Sequence, residues 1–124
     1  ASVPNYDCGV PVAPTGRFPY LYYWNAVSLT DIFGRPMPLS CRVDISTVID
    51  LKETMLARHA SQRDWLKHHN GYDQYLEFMR ERSRKEGAPI GVAYAEGFIQ
   101  HLSQGHPGDN ILRTLLGDRC HPVA

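Results

Sequence analysis

The stretch VDISTVIDLKETMLARHASQ, residues 43–62, decides how this chain is organised, because it joins a short strand to an amphipathic helix. Residues 41–45, CRVDI, have the apolar pattern of a short strand that ends at a helix start. Thr47 and Asp50 have the spacing of a helix-capping pattern. The stretch therefore predicts a strand followed at once by a helix that runs through Gln62 or beyond.

The apolar face of this predicted helix also carries polar side chains. At about 100° per residue, the apolar arc consists of Val48, Ile49, Leu51, Met55 and Leu56. Lys52, His59 and Gln62 fall within the same arc. A buried polar group without a partner costs about 1–3 kcal/mol, so we expect a polar network, a ligand or both opposite this face. A hydrogen-bonded core histidine would also explain His59, and Lys52 can extend towards solvent.

Strands and helices alternate along the rest of the chain. YLYYW, residues 20–24, is typical of a short strand buried on both faces of a parallel sheet. Residues 72–86 are predicted to form a second helix that stops at Gly87. IGVAY, residues 90–94, is predicted to form a third short strand that runs into AEGFIQ. The alternation predicts an α/β fold with few short strands and two to three helices.

The two ends of the chain differ in character. Residues 1–19 are rich in proline, which favours loop or extended chain. Near the other end, Asp109 is predicted to cap a brief helix, NILRTLL, that stops at Gly117. No linker or repeat divides residues 1–124, and three short strands do not make a covered parallel sheet. The chain is therefore expected to be a single partial domain.

Charge and composition exclude several classes of partner. Thirteen Lys and Arg residues balance thirteen Asp and Glu residues, so no overall field attracts a nucleic acid or an anionic membrane. No run reaches the roughly 20 apolar residues of a membrane span, and no signal-peptide pattern opens the chain. A cytoplasmic protein with a small or neutral partner is expected. The three cysteines fit neither a disulfide framework nor a metal knuckle, so reduced thiols are expected.

Metal chemistry has little support within the chain itself. His68 and His69 are adjacent and cannot share a helix face, and His101 and His106 span a predicted loop. A zinc site needs three or four converging ligands. GHPGDN, residues 105–110, is interpreted as a turn that leads into a helix cap. No metal ligand is therefore assigned to this chain.

The stretch at residues 43–62, together with the later segment GVAYAEGF at residues 91–98, resembles the C-terminal half of the LmbE-like, or PIG-L, family of zinc-dependent de-N-acetylases. Members commonly have a V-D-I strand end, a helix with a Lys and an H-x-S-Q run, and a later G-x-x-Y-A-E-x-F segment. The corresponding positions here are residues 43–45, Lys52, His59, Ser61, Gln62, Gly91, Tyr94, Ala95, Glu96 and Phe98. The proline-rich loop and aromatic strand are also similar, so the resemblance covers about residues 2–100.

This resemblance implies a Rossmann-like fold of which the chain is the C-terminal portion, the N-terminal half being absent. It implies a zinc-dependent hydrolase that removes the acetyl group from an N-acetylglucosamine-type substrate, with the zinc ligands in the missing half. Tyr94 is the candidate donor to the developing oxyanion, although an ordinary strand tyrosine explains it as simply. His59, Gln62, Glu96 and Arg17 are candidates for substrate binding or for bracing the catalytic loops.

Two other functions stay open at this point. A non-catalytic interaction module, or an inactive fragment of the family, would associate through the sheet edge left by the missing half. A separate small enzyme that uses His59 with Glu96 lacks an accompanying nucleophile or ligand set. The expected partners are an N-acetylated sugar and either a second copy of the chain or an N-terminal half. The 124-residue chain alone is expected to be inactive.

Overall fold

The computed structural model describes residues 9, 16–25, 28–59 and 75–123. Within these ranges the chain forms four strands and three α-helices. The strands are β1 (Tyr22–Trp24), β2 (Cys41–Asp44), β3 (Ala95–Gln100) and β4 (Cys120–Pro122), and the helices are α1 (Ile49–Ala57), α2 (Tyr75–Gly87) and α3 (Ile111–Leu116). Single 3-10 turns, Ala88–Ile90 and Gly117–Arg119, follow α2 and α3. The predicted mixed α/β class is confirmed.

The four strands form one antiparallel sheet in the order β1-β3-β2-β4. β1 lies at one edge of this sheet, and its Tyr23 and Trp24 are 48% and 52% exposed. The prediction that residues 20–24 form a strand buried on both faces of a parallel sheet is therefore wrong. An apolar aromatic run has the same pattern in a central strand and in an edge strand, and only the pairing distinguishes them. The Rossmann-like architecture stays a proposal.

The strand β3 begins later than the pattern predicts. Residues 90–94 form the end of the 3-10 turn and a loop, and the strand covers Ala95–Gln100. The chain turns at Gly91, whose φ of +72° lies in the left-handed region that favours glycine. Gly87 ends α2 as predicted, but its role is steric. A β-carbon there would lie 2.5 Å from the carbonyl oxygen of Val92, so only glycine lets this loop pack so closely.

α1 begins without the predicted side-chain cap. Val48 precedes its first turn, and no side chain makes a capping hydrogen bond there. Instead Asp44, at the end of β2, accepts a hydrogen bond of 2.8 Å from the backbone N–H of Ser46. Hydrogen bonds from Ser46 lower the pKa of Asp44. The capping prediction for Thr47 and Asp50 is wrong because the carboxylate that holds this turn comes from the preceding strand.

α1 also ends earlier than predicted, at Ala57 rather than at Gln62 or beyond. The backbone N–H groups of Arg58 and His59 donate to carbonyls three residues earlier, which tightens the last turn. His59 therefore lies just beyond the helix. Gln62 lies outside the described residues.

The core is small and lies between the sheet and the helices. Its buried apolar residues are Cys41, Val43, Ile45, Ile49, Met79, Ala95 and Cys120. Cys41 and Cys120 are free thiols, which confirms the expectation of reduced cysteines for these two. In contrast, Leu51 and Met55 of the predicted inward arc are 60% and 62% exposed. The apolar arc of α1 is thus only partly covered.

The C-terminal segment adds elements that the pattern missed. α3 is capped by Asn110, whose side chain accepts a hydrogen bond from the backbone N–H of Arg113. Asp109, the predicted cap, instead accepts a hydrogen bond of 2.7 Å from the hydroxyl of Tyr20. The short strand β4 then pairs with β2 and was not predicted. No helix among the described residues is long and apolar enough to cross a membrane.

Candidate functional site

Two segments that are distant along the chain meet at an ion pair. Lys52 of α1 places its Nζ 2.6 Å from the carboxylate of Glu96 of β3. The same Nζ lies 3.4 Å from the hydroxyl of Ser83 on α2. Both charged side chains are about three-quarters buried, at 24% and 22% exposure. The polar group expected opposite the predicted apolar face of α1 is therefore Glu96, at least for Lys52.

The indole of Trp24 contacts both Lys52 and a second cation, Arg82. Lys52 Nζ lies 5.4 Å from the centre of the Trp24 ring, and the Arg82 guanidinium lies 4.6 Å from it. Arg82 is only 9% exposed. Its guanidinium donates to the backbone carbonyl of Asn25, and no carboxylate of the described residues lies within ion-pair distance. Burial lowers the pKa of Arg82, while the charges of nearby glutamates oppose this effect.

A second ion pair completes the charged cluster behind the sheet. Arg42 Nε lies 2.9 Å from a carboxylate oxygen of Glu86, whose other oxygen accepts from the side-chain amide of Asn25. A β-carbon at Gly97 would lie 2.7 Å from a δ-carbon of Leu39 and 3.3 Å from a carboxylate oxygen of Glu86, so a side chain there would require these two side-chain ends to shift. Two cations here, Lys52 and Arg42, have carboxylate partners, whereas Arg82 has none among the described residues.

A cavity of about 480 Å³ lies between α1 and α2 on the side of this cluster. Its lining residues are Trp24, Val48, Leu51, Lys52, Met55, Leu56, His59, Tyr75, Phe78, Met79 and Arg82. Tyr75 and His59 mark one end, where the Tyr75 hydroxyl donates to the Leu56 carbonyl at 3.4 Å. Lys52 and Arg82 mark the other end. The cavity is therefore apolar along its length and cationic at one end.

The sequence-predicted site residues are only partly brought together. Two of these residues, Lys52 and His59, line the cavity, and Glu96 adjoins it through its ion pair with Lys52. The helical wheel indicated that His59 is buried, but it is exposed at the rim of the cavity. Arg17 is exposed and does not line the cavity. Arg82 was not selected from the sequence, because it sits in a run of alternating charges that is typical of a solvated helix end.

Tyr94 lies in a separate cluster on the other flank of α2. The Arg80 and Arg84 guanidinium groups lie 5.8 Å and 5.7 Å from the centre of its ring. Hydrogen bonding from Arg80, and then from Arg84, lowers the pKa of the Tyr94 phenol. Residues 80 and 84 are turned about 200° on the helix from residues 78 and 82, which line the cavity. The structure therefore does not bring Tyr94 to the cavity.

A histidine cluster at the β1 edge was also missed by the sequence analysis. His101 lies between two hydroxyl groups, with Nδ1 2.9 Å from that of Tyr23 and Nε2 2.9 Å from that of Ser103. The ring of His106 lies 4.6 Å from the ring of His101 and donates through Nδ1 to the Pro19 carbonyl. Local sequence gives no signal for this cluster, since it depends on the pairing of β1 with β3.

The described residues do not supply a set of ligands for zinc. No three His, Cys, Asp or Glu side chains converge there in a way that could hold a metal ion. His101 and His106 are only two, and both nitrogens of His101 already face hydroxyl groups. These residues do not fit a zinc site by themselves.

Comparisons with models of protein families, with curated proteins and with solved structures found no match to this chain. A function for this chain therefore has to be inferred from the chemistry of the charged cluster, the Tyr94 cluster and the histidine cluster.

Proposed function

We propose that this chain is the C-terminal half of a zinc-dependent de-N-acetylase that acts on an N-acetylglucosamine-type substrate. The observation that carries the proposal is the ion pair between Lys52 and Glu96. Each residue belongs to one of the two motif segments that resemble the family, and the fold joins these segments by a partly buried contact. Motif residues that contact each other are expected if both segments serve one site.

In this proposal the chain supplies substrate walls and supporting contacts. Zinc would polarise an acetamide carbonyl and activate water when held by an N-terminal half. Because the described residues do not fit a zinc site, no step of the reaction is assigned here to the metal. The substrate would be a small N-acetylated sugar, and the partner chain would be the N-terminal half.

Tyr94 is the proposed donor to the oxyanion that develops on the acetamide. The two neighbouring guanidinium groups lower its pKa, which makes its O–H a stronger hydrogen-bond donor. Glu96, held in place by Lys52, is proposed to accept hydrogen bonds from sugar hydroxyls or to brace the site. His59, Gln62 and Arg17 are proposed as further substrate-binding or bracing groups. For Tyr94 and Glu96 to act on one substrate, that substrate must span the two flanks of α2.

The experiment that tests this function is to sequence the coding DNA upstream of Ala1 and to assay the complete product. We expect an in-frame extension with two histidine motifs, and zinc-dependent release of acetate from N-acetylglucosaminyl compounds. Chelation should abolish that release, and added zinc should restore it. A stop codon immediately before a start signal, together with no acetate release, would remove the enzymatic proposal.

A non-catalytic interaction module is the second candidate function. The observation that favours it is the edge position of β1, whose backbone is open on one side among the described strands and whose Tyr23 and Trp24 are half exposed. Sedimentation at increasing protein concentration tests it. A monomer at every concentration would exclude self-association through this edge.

A further inference from the structure

The charged cluster at the end of the α1–α2 cavity brings together three cations, Lys52, Arg42 and Arg82, and two carboxylates, Glu86 and Glu96. Lys52 is neutralised by Glu96, and Arg42 is neutralised by Glu86. Arg82 has no ion-pair partner among the described residues, although nine-tenths of its surface is buried. A buried cation without an anion is unfavourable in a protein unless something compensates for it.

Its existing contacts leave the guanidinium only partly satisfied. A guanidinium has five N–H donors in a planar fork. Arg82 donates to the carbonyl of Asn25 and lies over the face of Trp24. Neither contact supplies negative charge, and the carboxylates of Glu86 and Glu96, whose charges favour the protonated guanidinium, are each paired with another cation. A planar anion with two acceptor oxygens is the group that matches the remaining donors best, since carboxylates bind guanidinium groups in bidentate fashion.

The rest of the cavity defines the other part of such a ligand. Beyond Arg82 the walls are the aliphatic and aromatic side chains of Leu51, Met55, Phe78 and Met79. A volume of about 480 Å³ lies within the range of small-molecule sites. Leu51, Met55 and Phe78 are each more than half exposed, so these walls offer apolar surface for a ligand to cover.

We propose that the α1–α2 cavity binds a small amphipathic carboxylate, with the carboxylate on Arg82 and the apolar body along Leu51, Met55 and Phe78. A medium-chain fatty acid has this chemistry. Lys52, already paired with Glu96, adds positive potential beside the head group but is not its main partner. The inference does not depend on the deacetylase proposal, because it rests on Arg82 and the apolar walls, although Lys52, His59 and Glu96 adjoin the same region.

The test uses decanoate as the probe and the full-length protein labelled with ¹³C at its methionine methyl groups. The chain has three methionines, of which Met55 and Met79 line the cavity and Met37 does not. We expect decanoate to shift the signals of Met55 and Met79 saturably at one equivalent, and to leave Met37 unchanged. Decanol, which has the same length and no charge, should bind about tenfold more weakly or worse, because it lacks the charge-assisted contact.

Arg82→Met keeps most of the side-chain volume and removes the charge, so it should weaken decanoate binding at least about tenfold. Arg84→Met is the matched control, since Arg84 is exposed on the same helix and faces Tyr94. It should bind decanoate as the wild type does. If Arg82→Met fails to fold, Leu51→Glu serves instead, because Leu51 is exposed and a carboxylate there would repel the probe.

Three results would overturn the proposal. The first is an absence of Met55 and Met79 shifts up to about 1 mM decanoate, a weak limit for a specific site. The second is equal binding of decanoate and decanol, which would make the cavity a non-selective apolar surface. The third is unchanged binding in Arg82→Met, or in Leu51→Glu where that variant is needed.

Discussion

Lys52 and Glu96 form a partly buried ion pair with 2.6 Å between Nζ and the carboxylate, and this pair joins α1 to β3. α1 and β3 are otherwise linked through the shared core around Val43 and Ile49. Loss of either charge would leave the other one partly buried without a partner. The pair is therefore expected to matter for the stability of the described fold.

Lys52→Met should reduce the free energy of unfolding by about 1–3 kcal/mol, the usual cost of leaving a polar group unsatisfied when buried. Urea denaturation of Lys52→Met, Glu96→Gln and the double variant measures the coupling between the two side chains. Lys85→Met is the control, because Lys85 is exposed and its contact with Glu81 is 3.8 Å. That control should change stability by less than about 0.5 kcal/mol. Equal losses in Lys52→Met and Lys85→Met would contradict the prediction.

Gly97→Ala should destabilise the protein by about 1 kcal/mol, the low end of the range for overpacking, because the atoms that the new methyl group meets are side-chain ends that can shift. The new β-carbon would lie 2.7 Å from Leu39 and 3.3 Å from Glu86, on a strand paired on both sides. Gly108→Ala is a matched control, since nothing lies within 4 Å of a β-carbon there and its φ is not positive. Thermal unfolding of both variants checks the prediction, and an unchanged melting temperature for Gly97→Ala would refute it.

The Cys120 thiol should stay protonated and unreactive in the folded protein at neutral pH. Burial, with a further contribution from Cys41, raises the pKa of Cys120 from 9.0 to about 11. Because the pKa of the Cys120 thiol is higher in the folded state, the protonated thiol contributes to stability. This contribution is complete below pH 9 and is lost as the pH rises through about 11. Iodoacetamide labelling followed by mass spectrometry should modify Cys120 only after denaturation. Rapid labelling of the folded protein at pH 8 would be inconsistent with this burial.

Under the proposed deacetylase function, Tyr94→Phe in the chain joined to its N-terminal half should lower kcat by about tenfold or more at constant zinc content, because an oxyanion donor typically contributes about 3 kcal/mol. Tyr20→Phe is a matched control, since the Tyr20 hydroxyl already donates a hydrogen bond to Asp109. It should leave kcat unchanged. If kcat survives in Tyr94→Phe, Tyr94 has no part in the reaction.

The lowered pKa of Tyr94 can be measured separately from activity. In the protein labelled with ¹³C at the tyrosine ζ carbon, Tyr94 should titrate below the ordinary value of 10.0, and Arg80→Met should raise its pKa. The pKa of the Tyr94 phenol is lower in the folded state than in the unfolded state. The stability that the phenolate contributes is therefore present above about pH 10 and is lost as the pH falls through the folded-state pKa. A pKa of Tyr94 that is not below the ordinary value of 10.0 would contradict the contacts with Arg80 and Arg84.

Short-range patterns predicted several elements of the fold correctly. Strand β2 at Cys41–Asp44, the helix that follows it and the end of α2 at Gly87 all depend on neighbouring residues, so periodicity and helix-breaking residues identify them. The same patterns missed β4 because three residues, Cys120–Pro122, are too few for a periodic signal. They also placed the cap of α3 on Asp109 rather than Asn110, an error of one position between two residues of similar capping ability.

The candidate site was harder to predict, because charged side chains have no local signal of burial. The sequence by itself determined that α1 carries Lys52 on its apolar side, which led to the expectation of a polar network or a ligand opposite this face. Only the tertiary structure decided that the partner of Lys52 is Glu96 and that Tyr94 lies on the other flank of α2. It also decided that Arg82 is buried on Trp24, where no carboxylate of the described part of the chain forms an ion pair with it. The physical reason is that local conformation follows from side chains a few residues apart. These contacts depend instead on the antiparallel order of the strands and on the crossing of α1 and α2. No local sequence pattern specifies either of them.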